Sequence, residues 1–431
     1  MSYNFLLASW GTSGNLNPLL TAGRQLRRNG HHVRILADQA MREQVEDSEF
    51  EFCSWYRAPT GTAADPTDVS DLKDWIRRAI YDPCAAYAAD IRDEIGRTPT
   101  DAVLAIDVLF GAVPGAEAAD VPAALLSPHI SIRPLPGVPP AGSGLMPPKT
   151  QEDLAEIAAA NDALAEQLNA HLPILNKALA RFGIAGLADA VEFYDRPDRL
   201  FLAVSRAFDF PAAALPPNFR YVGPLLDQPS WAKPWSAPWP ARSGRPRVLI
   251  ACSTGEQGQG ELIQRVIDAM GRLDIDAVTT AGPTLDIADF RAPPNVHLLP
   301  SAPHDAVMKE VSVVVSQGGH GTVNRALING RPLLVLPLGR DQDDNAARVV
   351  ARGAGLRLPA AATAAEIADA VHRLIQEPHF ATAARRVGDA IQADMDGCIL
   401  VREMEAMVAA RRRIGRDARP PLLRRSGGNL L

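Results

Sequence analysis

One pattern occurs twice in this chain and constrains its fold more than any other: an apolar stretch, a turn of small residues and a helical stretch follow one another. In the first copy, residues 5–10 are apolar, residues 11–14 are rich in glycine and serine, and leucines follow at helical spacing as far as Leu26. Gly30 ends this helix, and residues 33–37 form a second apolar stretch. A strand, a tight loop, a helix and another strand make a βαβ unit, which predicts a parallel sheet.

The second copy of the pattern begins after Pro246. Residues 247–252 are mostly apolar, residues 253–255 form a polar turn, and a helical stretch runs to Met270. Because the chain has 431 residues, more than one ordinary hydrophobic core holds, the repeat predicts two α/β domains. Between them, residues 228–245 alternate prolines with tryptophans, which neither a helix nor a central strand tolerates. This segment is predicted to be a linker, either packed on the domains through its tryptophans or running over the surface as a plain loop.

Composition and charge exclude several classes of protein. A formal net charge of -6 gives no electrostatic reason to expect nucleic acid as a partner. The four cysteines lie far apart, with neither metal-ligand spacing nor a dense disulfide pattern, which suits a reducing compartment. The N-terminus lacks the features of a secretory signal, and apolar runs stay shorter than the roughly 20 residues that cross a bilayer. The sequence therefore predicts a cytoplasmic protein without a membrane span.

The stretch that says most about function is residues 311–355. A β-branched strand leads into residues 317–322, Gln-Gly-Gly-His-Gly-Thr, which open a helix. Glycines after a strand let a ligand approach the backbone, and the free N–H groups of a helix start favour a phosphate. A second strand ends in a loop with Asp341 and Gln342, which offer the mixed acceptors and donors that sugar hydroxyls need. These residues predict a diphosphate site beside a polyol site; an ordinary βα turn with a capped helix is the alternative.

Spaced elements along most of the chain resemble the family 1 glycosyltransferases, in the bacterial natural-product branch related to plant and mammalian UDP-sugar transferases. The elements that carry the resemblance are Pro303, Gly319-His320-Gly321-Thr322, Pro332, Pro337, Asp341-Gln342, Asn345 and Gly353, together with Ser253-Thr254, Gly223-Pro224-Leu225, residues 134–148 and the N-terminal loop. Because several spaced elements agree, this signal is far stronger than a lone glycine motif.

The resemblance implies the GT-B fold, an α/β architecture in which two Rossmann-like domains face each other across a cleft. It implies an acceptor-binding domain at residues 1–227 and a nucleotide-sugar-binding domain at residues 246–390. A helix over residues 391–412 is expected to pack back on the N-terminal domain. The arginine-rich residues 413–431 are expected to form a flexible tail, with binding to an anionic surface as the alternative.

The resemblance also implies how the donor, a UDP- or dTDP-sugar, is held. Gly321 and Thr322 bind the diphosphate in such enzymes, and Asp341 and Gln342 hold the sugar hydroxyls. The full set of expected donor-binding residues is Ser253, Thr254, Gln317, Gly319, His320, Gly321, Thr322, Asp341 and Gln342. The resemblance implies inversion at the anomeric carbon without a metal ion or other cofactor. Two Asp-X-Asp pairs, residues 274–276 and 394–396, are interpreted as a solvent-exposed turn and a helix, not as metal ligands.

The pattern is broken where the family carries its catalytic base. That base is commonly His or Asp, but this sequence has Asn15 there, and an amide has no useful basicity near neutral pH. The family's partner carboxylate matches Asp107, which directly follows an apolar strand at an expected cleft edge, where its pKa would be raised. We hypothesise from the sequence that Asp107 is the base and that Asn15 orients the acceptor. The alternatives are that Asp107 only caps the following helix, or that an acceptor already ionised near pH 7 needs no base.

The acceptor half offers one further titratable candidate, His129, for which a structural role is the alternative. Residues 133–148 are rich in proline and glycine, and in the family such an insertion walls the acceptor pocket. We therefore expect Asn15, His129, Leu145 and Met146 to contact the acceptor, which the apolar lining predicts to be aromatic or polyketide-like. Helices are predicted to follow at residues 152–171 and 173–182.

Other positions depart from the family or are assigned no function. Gln317 stands where many relatives have a phosphate-binding His, and Arg325 where plant enzymes carry a ribose-binding Glu, so UDP and dTDP are not distinguished. Arg325 either places positive charge near the phosphates or faces solvent. His31 and His32 are interpreted as loop residues.

The sequence thus predicts a hexosyl- or deoxyhexosyltransferase that acts on a small apolar or aromatic natural product. Its expected partners are the acceptor and a UDP- or dTDP-sugar, with a homodimer left open. Two other classes remain as alternatives. A catalytically reduced, sugar-nucleotide-binding auxiliary protein is suggested by Asn15 and Gln317, and a GT-B epimerase would act on the donor alone, although residues 133–148 argue against it.

Overall fold

The computed structural model describes residues 1–11, 13–59, 72–226, 235–239, 244–251, 258–282 and 285–417. The predicted phosphate-side residues Ser253 and Thr254 lie outside the described residues, as do most of the predicted linker and of the predicted basic tail. Among the helices in the described ranges, none has the length and apolarity needed to cross a bilayer.

The N-terminal half is built on a seven-stranded parallel sheet. Its strands are β1 (Asn4–Ala8), β2 (His32–Ala37), β3 (Glu51–Ser54), β4 (Ala102–Ile106), β5 (Ala123–Ser127), β6 (Arg199–Leu202) and β7 (Phe219–Tyr221). They lie in the order β3-β2-β1-β4-β5-β6-β7, so the direction of strand addition reverses between β1 and β4. The strands β4 and β5 are buried at every residue, as expected for central strands of a parallel sheet covered on both faces.

Seven α-helices accompany this sheet within the described residues. They are α1 (Ser13–Arg28), α2 (Arg42–Asp47), α3 (Leu72–Ile76), α4 (Cys84–Arg97), α5 (Ala112–Glu117), α6 (Gln151–Asn169) and α7 (Leu172–Ala180). The helices α6 and α7 lie where two helices were predicted, and a capping box at Thr150 and Asp153 starts α6.

The C-terminal half repeats the design with a six-stranded parallel sheet. Its strands are β8 (Arg247–Ala251), β9 (Asp276–Thr280), β10 (Val296–Leu299), β11 (Val313–Ser316), β12 (Leu333–Val335) and β13 (Gly355–Arg357). Their order is β10-β9-β8-β11-β12-β13, with the reversal between β8 and β11. The helices are α8 (Gly260–Met270), α9 (His304–Met308), α10 (His320–Ile328), α11 (Gln342–Ala351), α12 (Ala364–Gln376) and α13 (Pro378–Asp396). The predicted pair of parallel α/β units is confirmed.

The last described helix, α14 (Ile399–Asp417), returns to the N-terminal half. Its apolar side chains are buried in the same core as residues of β1, β2 and α1: Leu400, Val401, Met404, Met407 and Val408. Glu403 accepts a 2.6 Å hydrogen bond from Arg199 of β6. The single helix predicted over residues 391–412 is in fact the end of α13 followed by α14, because the chain turns at Cys398, whose φ is +46°.

The packing of α14 also corrects the interpretation of His31 as a plain loop residue. His31 is buried, stacks on the ring of Tyr3 with 5.5 Å between ring centroids, and accepts from the Tyr3 backbone N–H. Its Nε2 lies 3.1 Å from a carboxylate oxygen of Glu405 on α14. The histidine therefore fastens the returning helix to the N-terminal sheet.

Candidate active site

Loops at the carboxyl ends of the two parallel sheets contact each other, and the predicted site residues within the described ranges lie on these loops or at the helix starts that follow them. In open parallel sheets a ligand crevice forms where the strand order reverses, because the loops on either side diverge there. His320, at the start of α10, reaches the N-terminal half, where its Nε2 lies 2.9 Å from the Ala203 carbonyl oxygen just after β6. This contact places the β11–α10 loop opposite the carboxyl end of the N-terminal sheet.

The β11–α10 loop has a backbone that only glycine permits at its first turn. Gly318 has a φ of +101°, and a Cβ there would lie 2.6 Å from Cγ1 of Val335. Its N–H donates to Ser316 Oγ at 3.1 Å. By contrast, a Cβ at Gly319 or Gly321 would meet nothing within 4 Å. The start of α10 therefore leaves open space over its backbone, which is what close approach of a phosphate requires.

A second loop, between β12 and α11, is tied to the first by an amide bridge. Asn345 donates through Nδ2 to the Gly318 carbonyl and to Asp341 Oδ2, at 2.9 Å in each case. Gln342 is buried, and its Oε1 accepts from the Leu338 N–H at 2.8 Å. Asp341 is thus held beside the glycine loop. The side-chain oxygen of Gln342 instead stabilises the β12–α11 loop through its hydrogen bond with Leu338.

On the opposite side of the crevice, Asp107 and His129 follow two adjacent strands. Asp107 comes directly after β4, and His129 lies two residues beyond β5. The Asp107 side chain is 1% exposed, and its buried Oδ1 has no hydrogen-bond partner among the described residues. This oxygen lies 4.0 Å from His129 Nε2. The two groups form a buried acid–imidazole pair that the sequence did not reveal.

The other nitrogen of His129 is fixed by the backbone. Nδ1 lies 2.7 Å from the Ile130 carbonyl oxygen and 3.1 Å from Ser127 Oγ. Because a carbonyl can only accept, Nδ1 carries a proton, and in the neutral ring Nε2 is the unprotonated nitrogen. The side chain of His129 is 26% exposed, so it is the accessible member of the pair.

Burial and mutual attraction perturb both groups. Burial raises the pKa of Asp107, against the lowering effects of His129 and Ser127. Burial opposes protonation of His129, but the Asp107 carboxylate, the Ile130 carbonyl and the more distant carboxylates of Asp341 and Asp344 together raise its pKa. Burial lowers the pKa of His320 despite the carboxylate of Asp341, so this ring is neutral.

The side-chain amide of Asn15, at the start of α1, is hydrogen-bonded to the segment that precedes the helix. Its Nδ2 donates to the Trp10 carbonyl oxygen at 3.0 Å, which closes the turn between β1 and α1. The indole of Trp10 in turn donates to the Ala79 carbonyl at 3.1 Å. The amide of Asn15 is partly exposed at the carboxyl end of β1 and therefore borders the crevice.

The proline- and glycine-rich segment that was predicted to wall the acceptor pocket is anchored to α11. Asp344 accepts from the backbone N–H groups of Gly142 at 2.7 Å and of Gly144 at 2.9 Å. Burial raises the pKa of Asp344, against the lowering effects of these two amides and of Arg348. Leu145 and Met146 follow directly, and Met146 is 39% exposed. The anchoring places both apolar side chains beside the loop that carries Asp341.

Arg348 on α11 makes a buried ion pair with the N-terminal half. Its side chain is 1% exposed, and its Nε and Nη2 lie 2.8 Å and 2.7 Å from Asp209 Oδ1. Tyr221 donates to the other Asp209 oxygen at 2.8 Å, and the guanidinium lies 4.4 Å from the ring centroid of Phe210. Arg352, one turn further, donates to the Phe208 carbonyl at 3.2 Å. The two halves are therefore joined through α11.

Other predicted residues have partners that limit their roles. Arg325 forms an ion pair with Asp305 on α9, so it is not the solvent-facing arginine that one interpretation allowed. Gln317 is buried at the end of β11. Within the described ranges, no group of three or more His, Cys, Asp or Glu side chains is arranged to hold a metal ion.

The Asp-X-Asp pairs have structural partners. Asp274 is exposed and pairs with Arg245 at 2.8 Å, whereas Asp276 is buried at the start of β9, so that segment is only partly the exposed turn that was predicted. Asp394, on α13, accepts a 2.6 Å hydrogen bond from Ser205 of the N-terminal half.

Comparison with known proteins places these features in context. Residues 264–407 match the family model described as the erythromycin biosynthesis protein CIII-like C-terminal domain. The chain is 26% identical to 4'-demethylrebeccamycin synthase of Lentzea aerocolonigenes, over 90% of this chain and 96% of that protein. It is 27% identical to UDP-glycosyltransferase 2 of Phaeomoniella chlamydospora, over 87% of this chain and 89% of that protein. The chain is a glycosyltransferase.

Similarity to solved structures identifies the fold of this glycosyltransferase. The glycosyltransferase of kitacinnamycin superposes with a TM-score of 0.74 at 22% identity, covering 94% of this chain and 99% of that one. The glycosyltransferase VinC, solved in complex with dTDP, gives a TM-score of 0.66 at 19% identity, with 94% and 100% covered. The fold is GT-B, as the sequence predicted.

Several residues of the candidate site were missed by sequence reasoning. Ser127, Asp344 and Arg348 were not singled out, and neither was the Ala203 carbonyl. The one available signal was the spacing of Asp344 and Arg348, which are four residues apart on a helix. Such a pair is typical of an exposed, weakly stabilising ion pair, and nothing in it indicates burial against another domain.

Proposed function

We propose that this glycosyltransferase transfers a hexose or deoxyhexose from a dTDP- or UDP-sugar to a small apolar or aromatic natural product, with inversion and without a metal ion. One observation carries the proposal: His320 of the glycine loop reaches the Ala203 carbonyl of the N-terminal half at 2.9 Å, and Asp341 lies near enough to His129 to raise its pKa. A sugar bound at Asp341 would therefore meet an acceptor held in front of His129.

The donor site is proposed on the open glycine loop. The N–H groups at the start of α10 favour an anion, and the space over Gly319 and Gly321 admits one. Asp341, held by Asn345, would accept hydrogen bonds from sugar hydroxyls. The dTDP in VinC and the name of the fungal UDP-glycosyltransferase support a pyrimidine nucleotide without choosing between the two.

The acceptor site is proposed between residues 133–148 and the carboxyl end of the N-terminal sheet. The partly exposed Leu145 and Met146 offer apolar contact, and Asn15 borders the same crevice. The names of two similar proteins, 4'-demethylrebeccamycin synthase and the glycosyltransferase of kitacinnamycin, support a natural-product acceptor. Apolar burial would supply affinity, and the few polar groups would orient the reacting hydroxyl.

Transfer can be tested directly. The purified protein is incubated with dTDP-glucose or UDP-glucose and a panel of phenolic and macrocyclic acceptors, and products are sought by mass spectrometry. We expect a hexose adduct whose anomeric configuration, read by NMR, is opposite to that of the donor, and a rate that excess EDTA leaves unchanged. Retention of configuration, or loss of activity with EDTA that is restored by a divalent cation, would contradict the mechanism.

An auxiliary, non-catalytic role has its own signature, which is nucleotide-sugar binding by calorimetry without turnover of any acceptor. Two further expectations from the sequence, a homodimer and a cytoplasmic location, remain predictions. Light scattering of the purified chain and fractionation of the producing cells test them.

A further inference from the structure

An acceptor hydroxyl that is not already ionised must lose its proton as the glycosidic bond forms, and a positioned base accelerates this step. The following inference rests on the proposed transfer reaction. Asn15 cannot serve as base, because it is an amide and donates to the Trp10 carbonyl. Among the described residues around the crevice, the titratable groups are Asp107, His129, His320, Asp341 and Asp344.

The geometry excludes four of these groups. Asp107 is 1% exposed and lies behind His129. His320 directs Nε2 to the Ala203 carbonyl, and its Nδ1 is buried. Asp344 accepts from two backbone amides of the acceptor segment, and Asp341 is bound by Asn345 on the donor side. Only His129 combines a partly exposed side chain with a nitrogen that carries a free lone pair in the neutral ring.

We propose that Nε2 of His129 is the catalytic base of the transfer, and that Asp107 is a positioning residue that stabilises the imidazolium formed. Ile130 and Ser127 hold Nδ1, which fixes both the tautomer and the orientation of the ring. The distance of 4.0 Å between Nε2 and Asp107 Oδ1 is longer than a hydrogen bond, so Nε2 is not hydrogen-bonded to the carboxylate. This differs from the sequence-based hypothesis, in which Asp107 itself was the base.

The step balances without any further reagent. The acceptor oxygen forms a bond to the anomeric carbon of the sugar while its proton passes to Nε2 of His129. The bond between the anomeric carbon and the phosphate oxygen breaks, and its electron pair leaves with the nucleoside diphosphate. The amides at the start of α10 receive the negative charge of the leaving group, and Asp107 faces the positive charge of the imidazolium.

The charges around His129 predict the pH dependence. Asp107 faces it from the end of β4, Asp341 and Asp344 from the start of α11, and the neutral His320 from α10. Because these carboxylates raise the pKa of His129 above its ordinary 6.5, the free base forms only at higher pH. The rate should therefore rise with pH along a limb centred above 6.5, and Asp107→Asn should move this limb to lower pH.

The experiment compares wild type, His129→Gln, Asp107→Asn and the control His372→Gln, which replaces an exposed histidine of α12. The acceptor probes are 4-nitrobenzyl alcohol, which stays un-ionised, and 4-nitrophenol, which is largely ionised in the mildly alkaline part of the pH range. Rates are measured at saturating dTDP- or UDP-glucose over a range of pH, and nucleotide-sugar affinity is measured for each variant by calorimetry. Unchanged affinity shows that a loss of rate is not a failure of the donor site or of folding.

For His129→Gln we expect a loss of about 10²- to 10⁴-fold with the alcohol, the usual contribution of a general base, and a much smaller loss with the phenolate. Asp107→Asn should keep measurable turnover of the alcohol with a displaced pH limb, and His372→Gln should match wild type. Near-normal alcohol turnover by His129→Gln would overturn the proposal. The proposal would also be overturned if Asp107→Asn were inactive at every pH while His129→Gln kept its activity, since Asp107 would then be the base.

A second measurement does not depend on turnover. Nitrogen NMR of histidine-labelled protein, with the His129 signal assigned by its absence in His129→Gln, reports tautomer and pKa together. We expect a proton on Nδ1 in the neutral ring and a pKa above 6.5 that falls in Asp107→Asn. The proposal would be overturned if the neutral His129 ring carried its proton on Nε2, or if the pKa of His129 were the same in wild type and in Asp107→Asn. Both outcomes can be read even if neither probe is glycosylated. Absence of nucleotide-sugar binding would instead refute the proposed function.

Discussion

Replacing Arg348 by Met should destabilise the protein more than any exposed charge substitution, because it leaves a buried carboxylate without its cation. Arg348 makes two charge-assisted contacts with Asp209 Oδ1, at 2.8 Å and 2.7 Å, and both side chains are buried. Each such hydrogen bond contributes about 1.5–3 kcal/mol, and breaking a buried pair by removing one partner costs about 3–5 kcal/mol.

The neighbours of Asp209 decide where in this range the loss falls. The carboxylate would keep the Tyr221 hydroxyl at 2.8 Å and the Phe210 backbone N–H at 2.7 Å. Methionine restores part of the packing over the Phe210 ring but not its attraction to a cation, which is worth about 1 kcal/mol. We therefore expect Arg348→Met to lower the free energy of unfolding by about 3 kcal/mol, near the lower end of the range for a broken buried pair.

Urea unfolding followed by tryptophan fluorescence and by circular dichroism measures this change, and agreement of the two probes checks for separate unfolding of the two halves. The matched control is Arg373→Met, which breaks an exposed pair with Glu377 on the surface of α12 and should leave the midpoint unchanged. Adding Asp209→Asn to Arg348→Met removes the stranded charge, so the double variant should be more stable than Arg348→Met alone. A loss below about 1 kcal/mol, or a double variant no more stable than Arg348→Met, would refute the reasoning.

Three further predictions concern the site. Gly318→Ala should destabilise the fold by about 1–3 kcal/mol in urea unfolding, because Gly318 has a φ of +101° and an added Cβ would contact Val335. Gly319→Ala should keep wild-type stability but weaken dTDP binding in calorimetry. Equal stability of the two variants would contradict this reasoning. Asp344→Asn should raise the acceptor KM several-fold while leaving donor affinity unchanged, since it weakens the anchoring of Gly142 and Gly144; an altered donor affinity alone would count against it. The fold raises the pKa of Asp107, so ionisation of this carboxyl opposes folding as the pH rises through that pKa. Asp107→Asn should therefore have a higher thermal stability than wild type at pH 8 and lose this advantage near pH 4. A variant that is less stable than wild type at pH 8 would show that the carboxylate is stabilising.

The strand, turn and helix that carry the proposed donor site could be predicted from the sequence because their determinants are local. The strand, the glycine turn and the start of α10 follow one another within about ten residues, and each obeys a rule of backbone geometry or hydrogen bonding. The sequence did not show which of these glycines needs a positive φ; the structure assigns it to Gly318. Parallel strands and helices could likewise be predicted from periodicity, and the errors lay at boundaries such as the turn at Cys398.

The contacts that hold α11 and α14 against the N-terminal half could not be predicted in the same way, because they join distant parts of the chain. Asp344 and Gly142 are 202 residues apart, Arg348 and Asp209 are 139 apart, and His31 and Glu405 are 374 apart. In sequence, a buried arginine on a helix with acidic neighbours is indistinguishable from an exposed one. Only the packing of α11 and α14 on the N-terminal half reveals which charges lose water and become structural.

One face of α11 connects these otherwise separate features. Asp341 lies at its start beside the glycine loop, Asp344 binds the acceptor segment one turn later, and Arg348 holds Asp209 one turn after that. Residues at this spacing share a face of a helix, so Asp341, which we propose to bind the sugar, and the segment of Gly142 and Gly144 are positioned by one rigid element. This common support explains why Arg348→Met is expected to reduce turnover as well as stability. If the proposed function holds, a shift of α11 against the N-terminal half would move Asp341 and the segment of Gly142 and Gly144 together, away from the fixed ring of His129.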